Sequence, residues 1–238
     1  MLLLLGGASP LASGADRNEV VDGGTFTLYL QGVRIGEERF VIRRESAAAA
    51  GPVYRAMAEL NLKLGGRTQR IGVALEVLGD ECQPRRYEAE INGSEATTIV
   101  GVLVRDRIRL DVRSPHGDEM KEFLLRGRTA VLERQIAHHH FFVWKLLAGN
   151  PSLEATVLVP RDRRQTQVRL EDLGEEPVQI DGRELVLRHI AIVGETGQSH
   201  HVWLDGDRVI RVLVPHEEFE AVRLFTADQS PTDPRGTR

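Results

Sequence analysis

The sequence predicts a mainly β protein: a large curved antiparallel sheet or incomplete barrel with one short buried helix at about 138–148. Two observations lead to this fold class. Apolar and polar residues alternate through most of the chain, which is the pattern of strands with one buried and one wet face. The alternation stops at IAHHHFFVWKLLAG (136–149). There the apolar run indicates a buried helix, and the glycine and proline that follow it indicate where the helix ends.

The first strands show the alternation most clearly. Phe26, Leu28 and Leu30 fall on one face of a predicted strand, and after a turn at 31–33 the segment 35–44 continues as a second strand. Turn residues, many of them glycine, separate the further predicted strands, at 53–64, 68–78, 86–91, 97–104, 108–112 and 120–125. Many strands with one wet face favour antiparallel pairing, because parallel strands read as continuous apolar runs.

Two hairpins are predicted after the helix. Asp181-Gly182 and Asp205-Gly206 are two-residue loops of the kind that type I′ turns prefer. With the second loop at 205–206, Trp203 pairs with Arg208, and His201 lies on the same face as Trp203. A longer loop would shift these pairs.

The two ends of the chain differ from the middle. MLLLLGGASPLASGA (1–15) has a leucine core and an A-x-A-like site, so we expect a signal peptide and a periplasmic or secreted location. Its basic n-region is missing, and an apolar terminus is the alternative. Residues 16–225 are expected to form a single antiparallel β domain, and 226–238 a disordered tail.

Composition narrows the function classes. The net charge of −4 and the pI near 6.1 do not indicate a nucleic-acid partner, for which a basic face is expected. No apolar stretch reaches the roughly 18 residues of a transmembrane helix. Cys82 is the single cysteine, which excludes an internal disulfide and a Cys-rich zinc site. Because the phosphate-binding and nucleophile-elbow motifs are also missing, we expect a protein without a cofactor, and a non-enzymatic role is favoured.

The three consecutive histidines, His138 to His140, allow three interpretations. Neighbouring residues on a helix diverge by about 100°, so the three side chains cannot converge on one ion. They can mark the helix entrance, where free N–H groups favour neutral imidazoles or imidazoles turned to solvent. They can form the polar rim of a cavity. In a strand, His138 and His140 could bind a metal with His189, His200 or His201, but we predict no metal site.

The stretch GTFTLYLQGVRIGEERFVIRR (24–44), with FFVWKLLAG (141–149) further along, resembles uncharacterised exported bacterial β-proteins of the domain-of-unknown-function type. The architecture is also similar to that of Lol-type lipoprotein carriers. That likeness implies an open curved sheet over an apolar cavity that is plugged by helices. It covers roughly 24–225 and involves no catalytic motif.

The leading hypothesis is an exported, non-enzymatic protein that binds a lipid, an amphiphile or a lipidated partner in an apolar cavity. The candidate ligand-binding residues are aromatic or histidine side chains, namely Phe141, Phe142, Trp144, Trp203, His140 and His201. One alternative is an envelope scaffold or assembly module that binds a protein through a sheet edge. A His-based metal-dependent hydrolase is the third hypothesis.

Overall fold

The computed structural model describes residues 18–47, 51–93, 96–147 and 149–225. The expected signal peptide at 1–15 and the expected tail at 226–238 lie outside the described residues.

Strands make up most of the described chain. They are β1 Glu19–Leu30, β2 Val33–Ala47, β3 Gly51–Leu64, β4 Arg67–Leu78, β5 Gln83–Asn92, β6 Thr97–Val104, β7 Arg107–Ser114, β8 Gly117–Leu124, β9 Thr129–Val131, β10 Ser152–Val159, β11 Arg164–Ile180, β12 Arg183–Gly194, β13 Ser199–Asp205, β14 Arg208–Val214 and β15 Phe219–Arg223. An α-helix, α1, spans His140–Leu147, and a 3₁₀ helix spans Pro215–Glu217.

All the described strands belong to one sheet. Its order is β8-β7-β6-β5-β4-β3-β2-β1-β15-β14-β13-β12-β11-β10-β9. Neighbouring strands are antiparallel, except for β9 and β10, which are parallel. The chain therefore forms two meanders that meet where β1 pairs with β15. This confirms the predicted class, a curved antiparallel sheet that does not close into a barrel.

The alternating pattern sets which side chains form the core. In β3, for example, Ala56 and Leu60 are buried, whereas Arg55 and Glu59, each of which directly precedes one of them, are exposed. The buried faces of both meanders and the apolar side of α1 belong to one hydrophobic cluster. Burial of this face supplies the main driving force for folding.

The helix lies inside the curve of the sheet. Its buried Phe142 meets Tyr54 of β3 edge-on, with ring centroids 6.4 Å apart, and Phe141 packs against Phe142 at 90°. The helix ends at Leu147, and Gly149 just beyond it has a φ of 77°, the left-handed conformation typical of a glycine that follows a helix. The predicted helix at about 138–148 is confirmed, although regular α-helical geometry begins only at His140.

An ion pair connects the two meanders. Arg223 of β15 donates to both oxygens of Asp22 in β1, at 2.7 and 3.2 Å, and neither side chain is more than 3% exposed. The same guanidinium donates to the carbonyl oxygens of Gly23 and Val209. Because the guanidinium is charged and desolvated, these bonds fix it at the β1–β15 junction.

Side-chain hydrogen bonds connect the edge strand β8 to the β10–β11 turn and the start of β11. Lys121 Nζ donates to the carbonyl of Arg163 at 3.0 Å, and Gln165 Nε2 donates to the carbonyl of Leu124 at 3.0 Å. No helix among the described residues is long and apolar enough to cross a bilayer.

Candidate ligand-binding cavity

All three consecutive histidines are buried. His138, His139 and His140 expose only 1%, 0% and 2% of their surface. They are therefore not turned to solvent, which was one of the two outcomes expected at a helix entrance. Each ring points to a different environment, as the divergence of neighbouring helical residues predicts.

His138 contacts the carboxylate of Glu38, which lies in β2. Its Nδ1 lies 2.5 Å from Glu38 Oε1, and both side chains are fully buried. Glu38 also accepts the backbone N–H groups of Ala137, at 2.7 Å, and of His138, at 3.1 Å. Phe40 stacks on the imidazole at 5.7 Å. Glu38 thus acts as an N-terminal cap for the segment that leads into α1.

His139 has no such partner. Both of its ring nitrogens are inaccessible and make no hydrogen bond among the described residues. The imidazole lies between His138 and the buried ring of Tyr87, with centroids 4.5 and 6.1 Å away. Burial lowers the pKa of His139 well below its usual value, so the ring is neutral.

His140 begins a row of three histidines that leads outward. Its Nδ1 lies 3.0 Å from the carbonyl oxygen of Ala137, and its Nε2 lies 3.2 Å from His200 Nδ1 on β13. The His200 ring is 5.7 Å from the ring of His216 in the 3₁₀ helix. His140 is buried, His200 is half-buried and His216 is exposed.

The row lies along one side of a cavity of about 140 Å³. The cavity is bounded by the segment before α1, by β10 to β12 and by the end of the β14–β15 hairpin. Part of its wall is aliphatic or aromatic, formed by Leu132, Ile136, Val157, Val159, Val168, Ile192, Val214 and Phe219. Polar and charged side chains, His140 and His200 among them, line the rest, so the cavity offers a ligand both apolar contacts and polar groups.

Charges of both signs surround the mouth. Arg134 Nη2 binds Asp162 at 2.9 Å, and its Nε lies 3.8 Å from Glu217. Arg164 and Glu195, which also border the cavity, are exposed. Because Asp162, Glu195 and Glu217 outnumber Arg134 and Arg164, the charged side chains that border the cavity are negative on balance and disfavour an anionic ligand.

The inner histidines are uncharged at neutral pH. Burial lowers the pKa of His140 to about 4. Burial, aided by the neighbouring His140, lowers the pKa of His200 to about 3. Removal from water disfavours the charged form of a base, so these rings present neutral hydrogen-bonding groups to the cavity.

The predicted ligand-binding residues of α1 lie in different places. His140 lines the cavity. Phe141 and Phe142 are each 1% exposed and belong to the main core, outside the cavity wall. Trp144 packs at the edge of the core, where its Nε1 donates to Asp207 at 2.8 Å. Of these four, the structure brings only His140 to the cavity.

Trp203 and His201 lie on the opposite face of the sheet from His200. Trp203 belongs to a separate small cluster of apolar side chains on the outside of β11 to β14. The structure therefore does not bring these two residues together with His140. This separation follows from the alternation of side chains along a strand.

The pairing predicted for the β13–β14 hairpin is wrong, because its two-residue loop lies one residue further along the chain than predicted. Asp205 pairs with Arg208, so the loop is Gly206–Asp207. Gly206 has a φ of 59°, and a glycine at the first central position is the requirement of a type II′ turn. A bulge then places Trp203 opposite Arg211. The loop at Asp181-Gly182 is a two-residue loop as predicted, with positive φ at both positions.

His201 instead takes part in a chain of hydrogen bonds on the outer face. Glu176 Oε1 accepts from Trp203 Nε1 at 2.6 Å and lies 3.1 Å from His189 Nδ1. His189 Nε2 lies 2.9 Å from His201 Nδ1, and Ser199 Oγ lies 3.1 Å from His201 Nε2. His189 also stacks on Trp203 at 4.6 Å. This chain fixes the outer rings and is separate from the cavity.

A metal centre finds no support in the geometry. In the described part of the chain, no three His, Cys, Asp or Glu side chains converge as metal ligands do. Cys82 is buried, and burial raises the pKa of its thiol to about 12, so it is an unreactive thiol.

His200 and His216 were not among the predicted site residues. Because Val202 and Leu204 alternate with His200 and are buried, the period-two pattern could have placed His200 on the core side of β13. His216 follows Pro215 in a short turn, and nothing in its sequence neighbourhood indicates a site.

The fold and the cavity define a β protein whose open sheet surrounds a short helix and a small cavity lined by both apolar and polar side chains. No protein-family model matches the chain, and no curated protein matches it. Among solved structures, it is similar to a beta-barrel-like protein of the domain of unknown function DUF1849 from Brucella abortus. The match has a TM-score of 0.49 and 11% identity, and covers 84% of this chain and 93% of that one.

Proposed function

We propose that this chain is an exported, non-enzymatic protein that binds a small amphiphile in the cavity beside the start of α1. The observation that carries the proposal is the cavity itself, whose lining combines aliphatic side chains, the neutral imidazoles of His140 and His200, and charged side chains. Such a combination suits a ligand with an apolar segment and a polar end. The export part of the proposal rests on the leucine-rich segment at 1–15.

The size of the cavity limits the ligand. An apolar protein cavity of about 150 Å³ can hold benzene, so a space of about 140 Å³ suits an apolar segment of about six carbons. Burying six methylene groups contributes about 5 kcal/mol before the cost of association. Since about 4 kcal/mol corresponds to a dissociation constant of about 1 mM, we expect binding in the roughly millimolar range for a minimal ligand. A longer chain would extend through the mouth.

The alternative of a scaffold that binds through a sheet edge is less well supported. The β8 edge carries Asp118, Glu119, Lys121 and Glu122, and charges on an edge strand oppose pairing with another chain. Lys121 is also engaged by the β10–β11 turn. The hydrolase alternative has no converging metal ligands among the described residues.

Calorimetric titration with hexan-1-ol tests the proposal. The wild type is expected to bind one equivalent saturably. Val159→Phe adds a bulky ring to the cavity wall and is expected to abolish binding, provided that its circular dichroism shows a folded protein. Val104→Phe is the matched control, because Val104 is exposed on β6. Lack of saturable binding to the wild type, or equal binding to the Val159→Phe variant, would contradict the proposal.

A further inference from the structure

We propose that the cavity selects ligands whose polar end is a hydrogen-bond donor, such as a hydroxyl group, and that His200 Nε2 is the acceptor. This inference rests on the proposed function, because it names the chemical class of ligand that the same cavity takes. It follows from the direction of two hydrogen bonds between described residues.

The first bond fixes the tautomer of His140. Its Nδ1 lies 3.0 Å from the carbonyl oxygen of Ala137. A carbonyl oxygen only accepts hydrogen bonds, so the proton of His140 is on Nδ1. Since burial keeps this imidazole neutral, His140 Nε2 carries a lone pair and no proton.

The second bond, between His140 and His200, fixes the tautomer of His200 in turn. His140 Nε2 lies 3.2 Å from His200 Nδ1, and an unprotonated nitrogen requires a donor opposite it. His200 therefore carries its proton on Nδ1 and donates it to His140. Burial keeps the imidazole of His200 neutral as well. Its Nε2 is then an acceptor, and no hydrogen bond from the described residues reaches it.

His200 is positioned to use this acceptor on a ligand. Its side chain is only half-buried, and it lines the cavity beside the aliphatic wall. A hydroxyl hydrogen can bond to the free lone pair while an alkyl chain contacts Val157 and Ile192. A carboxylate offers no proton to that lone pair and would lose its hydration beside neutral rings. An ether offers no proton either.

The test compares three ligands of similar size on the full chain at pH 7.5. Hexan-1-ol and 1-methoxypentane are isomers that differ in the hydroxyl donor, and hexanoate carries a charge. Calorimetry is expected to show hexan-1-ol binding about fivefold to tenfold more tightly than the ether, the ratio that one hydrogen bond provides, and hexanoate binding least. The ¹⁵N resonance of His200 Nε2 is expected to shift with the alcohol alone.

A variant separates the acceptor from the general shape of the cavity. His200→Phe is expected to bind the ether but to lose the preference for the alcohol. His116→Gln, in the exposed β7–β8 turn, is expected to keep that preference. Equal, saturable binding of the alcohol and the ether to the wild type would overturn the selectivity and leave the proposed function standing. Absence of binding by all three ligands would overturn both.

Discussion

His138 Nδ1 and Glu38 Oε1 lie 2.5 Å apart with no exposure to solvent, although 100 positions separate them in the sequence. The contact joins β2 to the segment that leads into α1. Because the carboxylate also accepts two backbone N–H groups, it fixes the point where the helix starts. It thereby places the neighbouring His140 at the cavity.

Glu38→Ala is expected to destabilise the protein by about 3–5 kcal/mol. The change leaves a buried imidazole and two buried N–H groups without their acceptor. Urea unfolding followed by circular dichroism measures the loss. Glu59→Ala is the control, since Glu59 and Arg70 form an exposed pair, and it should cost less than about 1 kcal/mol. Equal losses for the two variants would show that the buried contact does not position the helix.

His139→Leu is expected to stabilise the protein by about 1–3 kcal/mol. Two buried nitrogens without partners carry a desolvation cost, and leucine fills a similar volume with no polar atom. The same unfolding measurement reports the gain. A destabilisation of more than about 1 kcal/mol would mean that the imidazole has a partner, such as an internal water molecule.

Stability is expected to fall as the pH decreases from about 6.5 toward 4. The pKa values of His139, His140 and His200 are lowered by burial, so the unfolded chain binds protons that the folded chain does not. Each such group lowers the free energy of unfolding by about 1.4 kcal/mol for each pH unit of acidification. Three groups together lower it by up to about 4 kcal/mol per pH unit. Glu133, whose pKa is raised by burial, acts in the opposite direction near pH 4.5.

Unfolding free energies at pH 7.5, 6.5 and 5.5 measure this dependence. The His139→Leu variant should lose about one quarter to one third of the slope, because one of the three deeply buried groups is gone while His189, whose pKa burial also lowers, still contributes. A stability that does not change over this range would contradict the burial of neutral histidines.

The pair Arg223–Asp22 provides a prediction about the junction of the two meanders. Arg223→Met and Asp22→Leu are each expected to destabilise by about 3–5 kcal/mol, because each leaves one buried charge unpaired. The double variant should lose less than the sum, with a coupling energy of at least about 2 kcal/mol. Additive losses in a double-mutant cycle would show that the charges do not depend on each other.

The sequence was sufficient to predict features that depend on local periodicity. Alternation identified the strands, and Gly149 with Pro151 marked the end of the helix. The loop at 205–206 was misplaced because both Asp205-Gly206 and Gly206-Asp207 satisfy a two-residue turn, and only the pairing of Asp205 with Arg208 decides between them.

The cavity could not be predicted in the same way. Its wall combines residues as distant as Leu132 and Phe219, which come together only when the β10–β15 meander packs against the segment that leads into α1. Aromatic side chains were expected to line it, but Phe141 and Phe142 fill the core instead. Aromatic residues bury large apolar areas, so their sequence signal is the same for a core and for a binding wall.

The central claim, that the cavity beside α1 is the ligand site, is tested most directly by a crystal structure of the protein soaked with 6-bromohexan-1-ol. Anomalous scattering locates the bromine without ambiguity. The account predicts a bromine peak within the apolar wall near Val157 and Ile192, with the hydroxyl within hydrogen-bond distance of His200 Nε2. Bromine peaks confined to exposed surfaces, with the cavity unchanged, would contradict it.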